Sequence, residues 1–257
     1  MKEWKTQVEQ PAPAPLAREC PTLDESIHFS PRHRPIYPRL VILDDGEDSG
    51  EVFRLRSQTI TIGRSGCDLS FPAEGLMSGS HAKIVYHELT PGHWSWVLED
   101  QSSRNGIFVR QQEFLLLPGC EFLIGGTKMF VHGDLPIPKA LGIATPLVVP
   151  LLADKRQVKR SWELELRPYM FSQEPLTIPF QGREFFLGRH AEGADALSTD
   201  LFVEPEHALV QKIGPSTWKL VDQNSLNGIW LRVLRAVLSQ TTSFIVGEQR
   251  FRFEVPE

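Results

Sequence analysis

The sequence predicts an all-β protein in which one antiparallel domain, a sandwich or a barrel, occurs twice. Two observations carry that expectation. Short apolar or alternating runs recur at a spacing of roughly 8–12 residues, with Gly, Asp or Pro between them. The pattern then returns after about 122–126 residues, too long a period for a solenoid. An exclusion supports both: no stretch carries the periodicity of an amphipathic helix of ordinary length.

Residues 1–38 read as a disordered, Pro-rich tail. Pro11-Ala12-Pro13-Ala14-Pro15 favours extended polyproline geometry, and Pro21, Pro31, Pro35 and Pro38 interrupt any helix. Thr6, Thr22, Ser26 and Ser30 are the tail's candidates for modification. From Arg39 the texture changes. Leu40-Val41-Ile42-Leu43 reads as a buried strand, Val52–Leu55 alternates, and Thr59-Ile60-Thr61-Ile62 is β-branched and runs into Gly63. Ala82–Tyr86, Trp94–Leu98, Ile107–Val109, Glu121–Ile124 and Lys128–His132 complete the first set. Residues 134–160 read as a linker punctuated by Pro136, Pro138, Pro146 and Pro150 and closed by the basic run Lys155–Arg160. Trp162–Leu166 then alternates, and the texture repeats over 161–257. Phe185-Phe186-Leu187-Gly188-Arg189 echoes Thr61-Ile62-Gly63-Arg64, and Glu206-His207-Ala208 echoes Ser80-His81-Ala82. Asp100-Gln101-Ser102-Ser103-Arg104-Asn105-Gly106 returns as Asp222-Gln223-Asn224-Ser225-Leu226-Asn227-Gly228.

Composition bounds the function. The 257 residues, 41% of them hydrophobic, suffice for two domains with real cores. A net charge of −5 lacks the electrostatic footprint of a general nucleic-acid binder. Cys20, Cys67 and Cys120 form neither a disulfide framework nor a zinc spacing, which suits a reducing compartment. The polar start, Met1–Gln10, lacks a signal-peptide core, and the most apolar window, Leu141–Ala153, is too short to span a bilayer. A soluble, cytoplasmic protein without membrane contact is expected. There is no Gly-rich P-loop, no Gly-x-Ser-x-Gly and no His/Cys metal spacing, so neither enzyme, cofactor nor metal is expected.

Three short pieces of the first copy carry chemistry: Gly63-Arg64, Ser78-Gly79-Ser80-His81 and Ser102-Ser103-Arg104-Asn105-Gly106. Guanidinium, hydroxyls, an amide and glycine-lined backbone are a set for holding a doubly charged oxyanion rather than for breaking a bond. In this order, each on a turn after a strand, they resemble the forkhead-associated (FHA) domain. The resemblance covers about 39–133 and 161–256 and implies two FHA-type β sandwiches in tandem whose loops at one end bind phosphothreonine peptides.

By that resemblance Arg64 contacts the phosphate. Ser78 donates its hydroxyl and backbone N–H to it, Ser80 assists, and Gly79 offers backbone only. Arg104 stands where the family often has Thr or Ser, and Asn105 bonds the peptide backbone. Gly63, His81 and Gly106 are architecture: the histidine braces the loop through its ring nitrogens, and Gly106 permits a positive φ. Gly75, Leu76 and Met77 are expected to tune the choice of a peptide residue beyond the phosphothreonine. The second copy keeps Arg189, Ser225 and Asn227 but has Glu204 where the first has Ser78. A carboxylate there repels phosphate or pairs with Arg189, and Pro205 removes an N–H. The second copy is therefore expected to keep the fold and to have lost phosphate binding. The function this implies is a phosphothreonine-dependent adaptor that reads a partner phosphorylated by a Ser/Thr kinase, or its own tail at Thr6 or Thr22. The alternative is a scaffold component that uses both domains without phosphate.

Overall fold

The computed structural model describes residues 37–44, 46–133, 148–150, 163–167, 176–190, 195–238 and 241–255, all within one unit, Ile36–Glu257. Outside them lie the expected tail, apart from Tyr37 and Pro38, with Thr6, Thr22, Ser26 and Ser30. So do 134–147 and 151–160 of the expected linker, with the basic run Lys155–Arg160.

The first repeat supplies β1 (Arg39–Leu43), β2 (Gly50–Arg54), β3 (Thr59–Gly63), β4 (Leu69–Ser70), β5 (Ala82–Thr90), β6 (His93–Asp100), β7 (Ile107–Gln111), β8 (Glu113–Leu116), β9 (Glu121–Ile124) and β10 (Thr127–His132). β11 (Val148–Pro150) follows, then β12 (Glu163–Arg167), β13 (Leu176–Pro179) and β14 (Glu184–Leu187). One helical turn, α1 (Asp195–Ser198), precedes β15 (Ala208–Gly214), β16 (Thr217–Asp222), β17 (Ile229–Leu238), β18 (Thr242–Val246) and β19 (Gln249–Glu254). The strand periodicity is visible in burial. Ile60 and Ile62 point into the core from β3 while Thr59 and Thr61 do not. Within the expected linker, Val148–Pro150 pairs with β17. The register shifts between Val149 and Pro150, where proline cannot donate to the ladder.

The ladders are antiparallel except the short β3·β4 pair, and many of them join the two repeats. β1 pairs with β19, β6 and β9 with β17, β7 with β17 and β18, β8 with β16, and β10 with β12. These exchanges are reciprocal. Leu98 faces Ala236 between β6 and β17, and the equivalent Leu220 faces Phe114 between β16 and β8. The β7·β17 ladder is its own counterpart, centred on Val109 opposite Leu231. The sheets thus take strands from both stretches, 39–133 and 161–257.

The local cause is legible in the chain. Val109-Arg110-Gln111-Gln112-Glu113 spans the junction of β7 and β8, and the equivalent Leu231–Arg235 lies inside the ten-residue β17. Neither contains Gly, Asn, Asp or Pro, so neither can reverse in a tight hairpin. The chain runs straight on and finds its next partners in the other repeat. Phe122 of β9, Phe244 of β18, and Phe251 and Phe253 of β19 head the fully buried side chains. At roughly 1.5–3 kcal/mol for each buried side chain of this kind, the exchanged strands carry much of the core. Phe71, next to the first candidate site, packs edge-on against Phe251 at 5.6 Å. Cys120 is sealed in the same core, and burial pushes its thiol up to about 12.

Candidate functional site

Three loops of the first repeat meet at Ser78. The Arg64 N–H donates to the Ser78 carbonyl at 2.8 Å, and the Arg104 N–H donates to Ser78 Oγ at 3.1 Å. Asn105 Nδ2 donates to the Leu76 carbonyl at 2.7 Å. His81 is fully buried. Its Nδ1 accepts from the Ser78 N–H at 3.0 Å, and its Nε2 lies 2.9 Å from the Gly106 carbonyl. This pattern requires the proton on Nε2 and a neutral ring. Burial holds the His81 imidazole below the ordinary histidine range; the Gly106 carbonyl and Asp100 oppose the shift, and Arg232 adds to it.

The surrounding backbone is built to be tight. A Cβ at Gly63 would stand 2.1 Å from the Gly79 carbonyl oxygen, so only glycine lets β3 approach the Ser78 loop. Gly106 has φ of 80°, and its N–H donates to Ser103 Oγ at 2.9 Å. Asp68 Oδ2 accepts from the Thr61 hydroxyl at 2.7 Å and from its N–H at 2.8 Å, which staples the turn carrying Arg64. Those bonds, hydroxyl first, hold the Asp68 carboxyl below its ordinary range.

The side chains divide into braces and free groups. Arg64 and Arg104 are exposed, and neither guanidinium has a hydrogen bond or ion pair among the described residues. Ser78 Oγ accepts from Arg104, which leaves its own proton to donate outward. The geometry bears on three details of the sequence reading. The Ser78 N–H is already given to His81, so only the hydroxyl remains as a donor. One of the two Asn105 Nδ2 hydrogens is given to Leu76, leaving the other and Oδ1 to face outward. Met77 is 1% exposed and sits under Gly247, whose Cβ would lie 3.2 Å from it; it cannot touch a peptide as Gly75 and Leu76 can.

The second repeat repeats the bracing. His207 accepts from the Glu204 N–H at 3.1 Å and reaches the Gly228 carbonyl at 3.0 Å. Asn227 Nδ2 donates to Phe202 at 2.9 Å. Glu204 Oε1 accepts from the Leu226 N–H at 2.9 Å, the bond that Ser78 Oγ makes in the first repeat. The Glu204–Arg189 pair, one of the two alternatives for that carboxylate, is not formed; among the described residues Arg189 Nε is buried without a partner. Leu201, Phe202 and Leu226 stand around this end at 84%, 60% and 80% exposure, so its rim is apolar.

Sequence reasoning missed two residues at these loops. Arg110 Nη2 donates to the carbonyls of Ser225 and Leu226, each at 3.2 Å, and Arg232 lies against Gly106. The signal was present: each is the fourth residue after the glycine of its own Asn-Gly pair. Among the described residues no His, Cys, Asp and Glu group could hold a metal ion, and no helix is long and apolar enough to cross a membrane.

Residues 60–125 match the FHA domain family, whose members are protein-interaction modules that bind phosphothreonine. The match runs from β3 through β9 and takes in all three loops that meet at Ser78. A search of curated proteins found no match.

Proposed function

We propose that the chain is a phosphothreonine-dependent protein-binding adaptor whose first repeat holds the phosphate between Arg64, Ser78 and Arg104. One observation carries this reading: two exposed guanidinium side chains, without a partner among the described residues, whose backbones are both hydrogen-bonded to a serine with a hydroxyl proton to give. A phosphate carries about −1.5 to −2 charge and three acceptor oxygens at neutral pH. Each charge-assisted hydrogen bond contributes roughly 1.5–3 kcal/mol net. Three or four of them support micromolar affinity, about −8 kcal/mol, after ordering costs. Gly79 lines the pocket with backbone, and Asn105 Oδ1 takes an N–H of the peptide. The phosphothreonine belongs to a partner or to this chain at Thr6 or Thr22, and a Ser/Thr kinase supplies it.

The second repeat does not bind phosphate in this reading. Glu204 fills the serine's place with an acceptor that has no proton to donate, and Leu226 replaces the cation of Arg104. Its exposed Leu201, Phe202 and Leu226 favour phosphate-independent contacts, which keeps a scaffold role for this half of the chain.

The test is fluorescence anisotropy of the full chain with a degenerate phosphothreonine peptide library, the same peptides without phosphate, and the Arg64→Ala variant. Micromolar binding that needs both phosphate and Arg64 is the expected result. Equal binding of both libraries would leave only the scaffold reading.

A further inference from the structure

The strand exchange carries a side chain of the second repeat into the first candidate site. Arg232, on β17, packs its guanidinium on the backbone of Gly106: a Cβ there would fall 2.1 Å from Nε and 2.9 Å from Cζ. The arginine is held in that place. Its side chain is 12% exposed, and Nη1 donates to Glu121 Oε2 at 2.8 Å. Behind Gly106 the connections run inward to the site. The Gly106 carbonyl meets His81 Nε2, His81 Nδ1 accepts the Ser78 N–H, and Ser78 Oγ accepts the Arg104 N–H. A cation fixed against Gly106 therefore bears on the geometry of the serine that would face the phosphate.

The same arrangement occurs a second time in the opposite direction. Arg110, the counterpart of Arg232 in the first repeat, packs on Gly228 of the second, where a Cβ would lie 2.4 Å from its Nε. It also donates to two carbonyls of that loop. Two unlike loops braced by one device argue that the device is part of how the loops are shaped.

We propose that Arg232 is a positioning residue for the candidate phosphopeptide site of the first repeat, delivered by the second repeat through the strand exchange. This rests on the function proposed above. Arg232 limits the movement of Gly106 and so fixes the His81 ring between Gly106 and Ser78. The charges facing His81 are Asp100 from β6 and Arg232 from β17, the latter paired with Glu121 from β9. Removing Arg232 leaves Asp100 unopposed, which favours a protonated ring; a protonated Nδ1 cannot accept the Ser78 N–H. The first site is thus a composite of both repeats.

The experiment uses the full chain with Arg232→Gln, Arg232→Lys and, as matched control, Arg110→Gln. Two quantities are read: affinity for the phosphothreonine peptide pool, and the titration of the His81 ring by NMR in the ligand-free protein. Arg232→Gln should weaken binding about 10-fold and Arg110→Gln less than about 2-fold, although both remove an equivalent brace. Arg232→Gln should also raise the pH at which His81 titrates, and Arg232→Lys, which keeps the charge but not the planar fork, should restore the titration and part of the affinity. Equal loss of affinity in the Arg232→Gln and Arg110→Gln variants would mean general destabilisation and would overturn the proposal, as would an unmoved His81 titration. If Arg232→Gln does not fold, Arg232→Lys against Arg110→Lys decides by affinity. If the wild-type chain binds no phosphopeptide, the adaptor reading fails, and the His81 titration alone decides whether Arg232 positions the loop.

Discussion

At the first loop end a hydroxyl accepts the backbone N–H of Arg104; at the second a carboxylate accepts the equivalent N–H of Leu226. Around those bonds the two ends match. A buried histidine spans the loop to the Asn-Gly turn, an asparagine amide holds the carbonyl two residues before the Ser or Glu, and Ser102 and Asn224 take φ of 55° and 58°. The scaffold is therefore separable from the chemistry it presents. One end shows two cations without a partner among the described residues and a hydroxyl proton; the other shows a carboxylate and an apolar rim. Resemblance in the bracing residues says that a loop has its shape, and only the outward residues say what it can hold.

The strongest way to break the comparison is to make both halves of the exchange identical. A chain cut to residues 39–133 should form a symmetric dimer by the same exchange, because its β8, β9 and β10 lose their partners from the second repeat. Light scattering that finds a folded monomer would mean that each repeat can close on itself.

The shared scaffold should respond alike in both repeats. A Cβ at Gly63 meets the Gly79 oxygen at 2.1 Å, and one at Gly188 meets the Pro205 oxygen at 2.0 Å. Gly63→Ala and Gly188→Ala should each cost on the order of 3 kcal/mol in denaturant unfolding. A harmless substitution at either would show that its loop can relax.

The outward residues should respond differently. Arg64→Ala should reduce phosphopeptide affinity about 100-fold, two charge-assisted hydrogen bonds at roughly 1.5 kcal/mol each, whereas Arg189→Ala should leave it unchanged. Sensitivity to Arg189 would put phosphate at the second end too. A smaller gain is expected from grafting: Glu204→Ser with Leu226→Arg, in an Arg64→Ala background, should create weak phosphate-dependent binding detectable by NMR. No gain would place the difference elsewhere, with Pro205 the next residue to exchange.

The smallest effect is in pH. Burial depresses the His81 pKa in the folded chain, so the unfolded chain, titrating near about 6.5, binds this proton first. The contribution of His81 is fully present above about pH 6.5 and is lost as the pH falls toward the folded value, by at most about 1.4 kcal/mol per pH unit. Replacing His81 by Gln should flatten that part of the stability profile; an unchanged slope would assign it to other groups.

Much of this was legible in the chain. Thr59–Ile62 alternates as a half-buried strand must, and the order Gly63-Arg64, Ser78 to His81, Asn105-Gly106 marked the three loops that meet at Ser78. The glycines were readable because a turn of positive φ, or a carbonyl 2.1 Å away, excludes any side chain. The exchange was not legible. Arg110–Glu113 lacks a turn residue and so announces that the strand continues, but period-two alternation says only which face is buried. Two repeats that present equivalent edges, such as β6 and β16, look alike to an incoming strand. The sequence by itself marked many of the strands and the recurring motifs, with Glu204 where the first repeat has Ser78. The tertiary structure alone decided which repeat each strand joins, and with it which arginine braces which loop, because pairing partners are selected by the packing of Phe122, Phe244 and Phe251 in a shared core rather than by any local pattern.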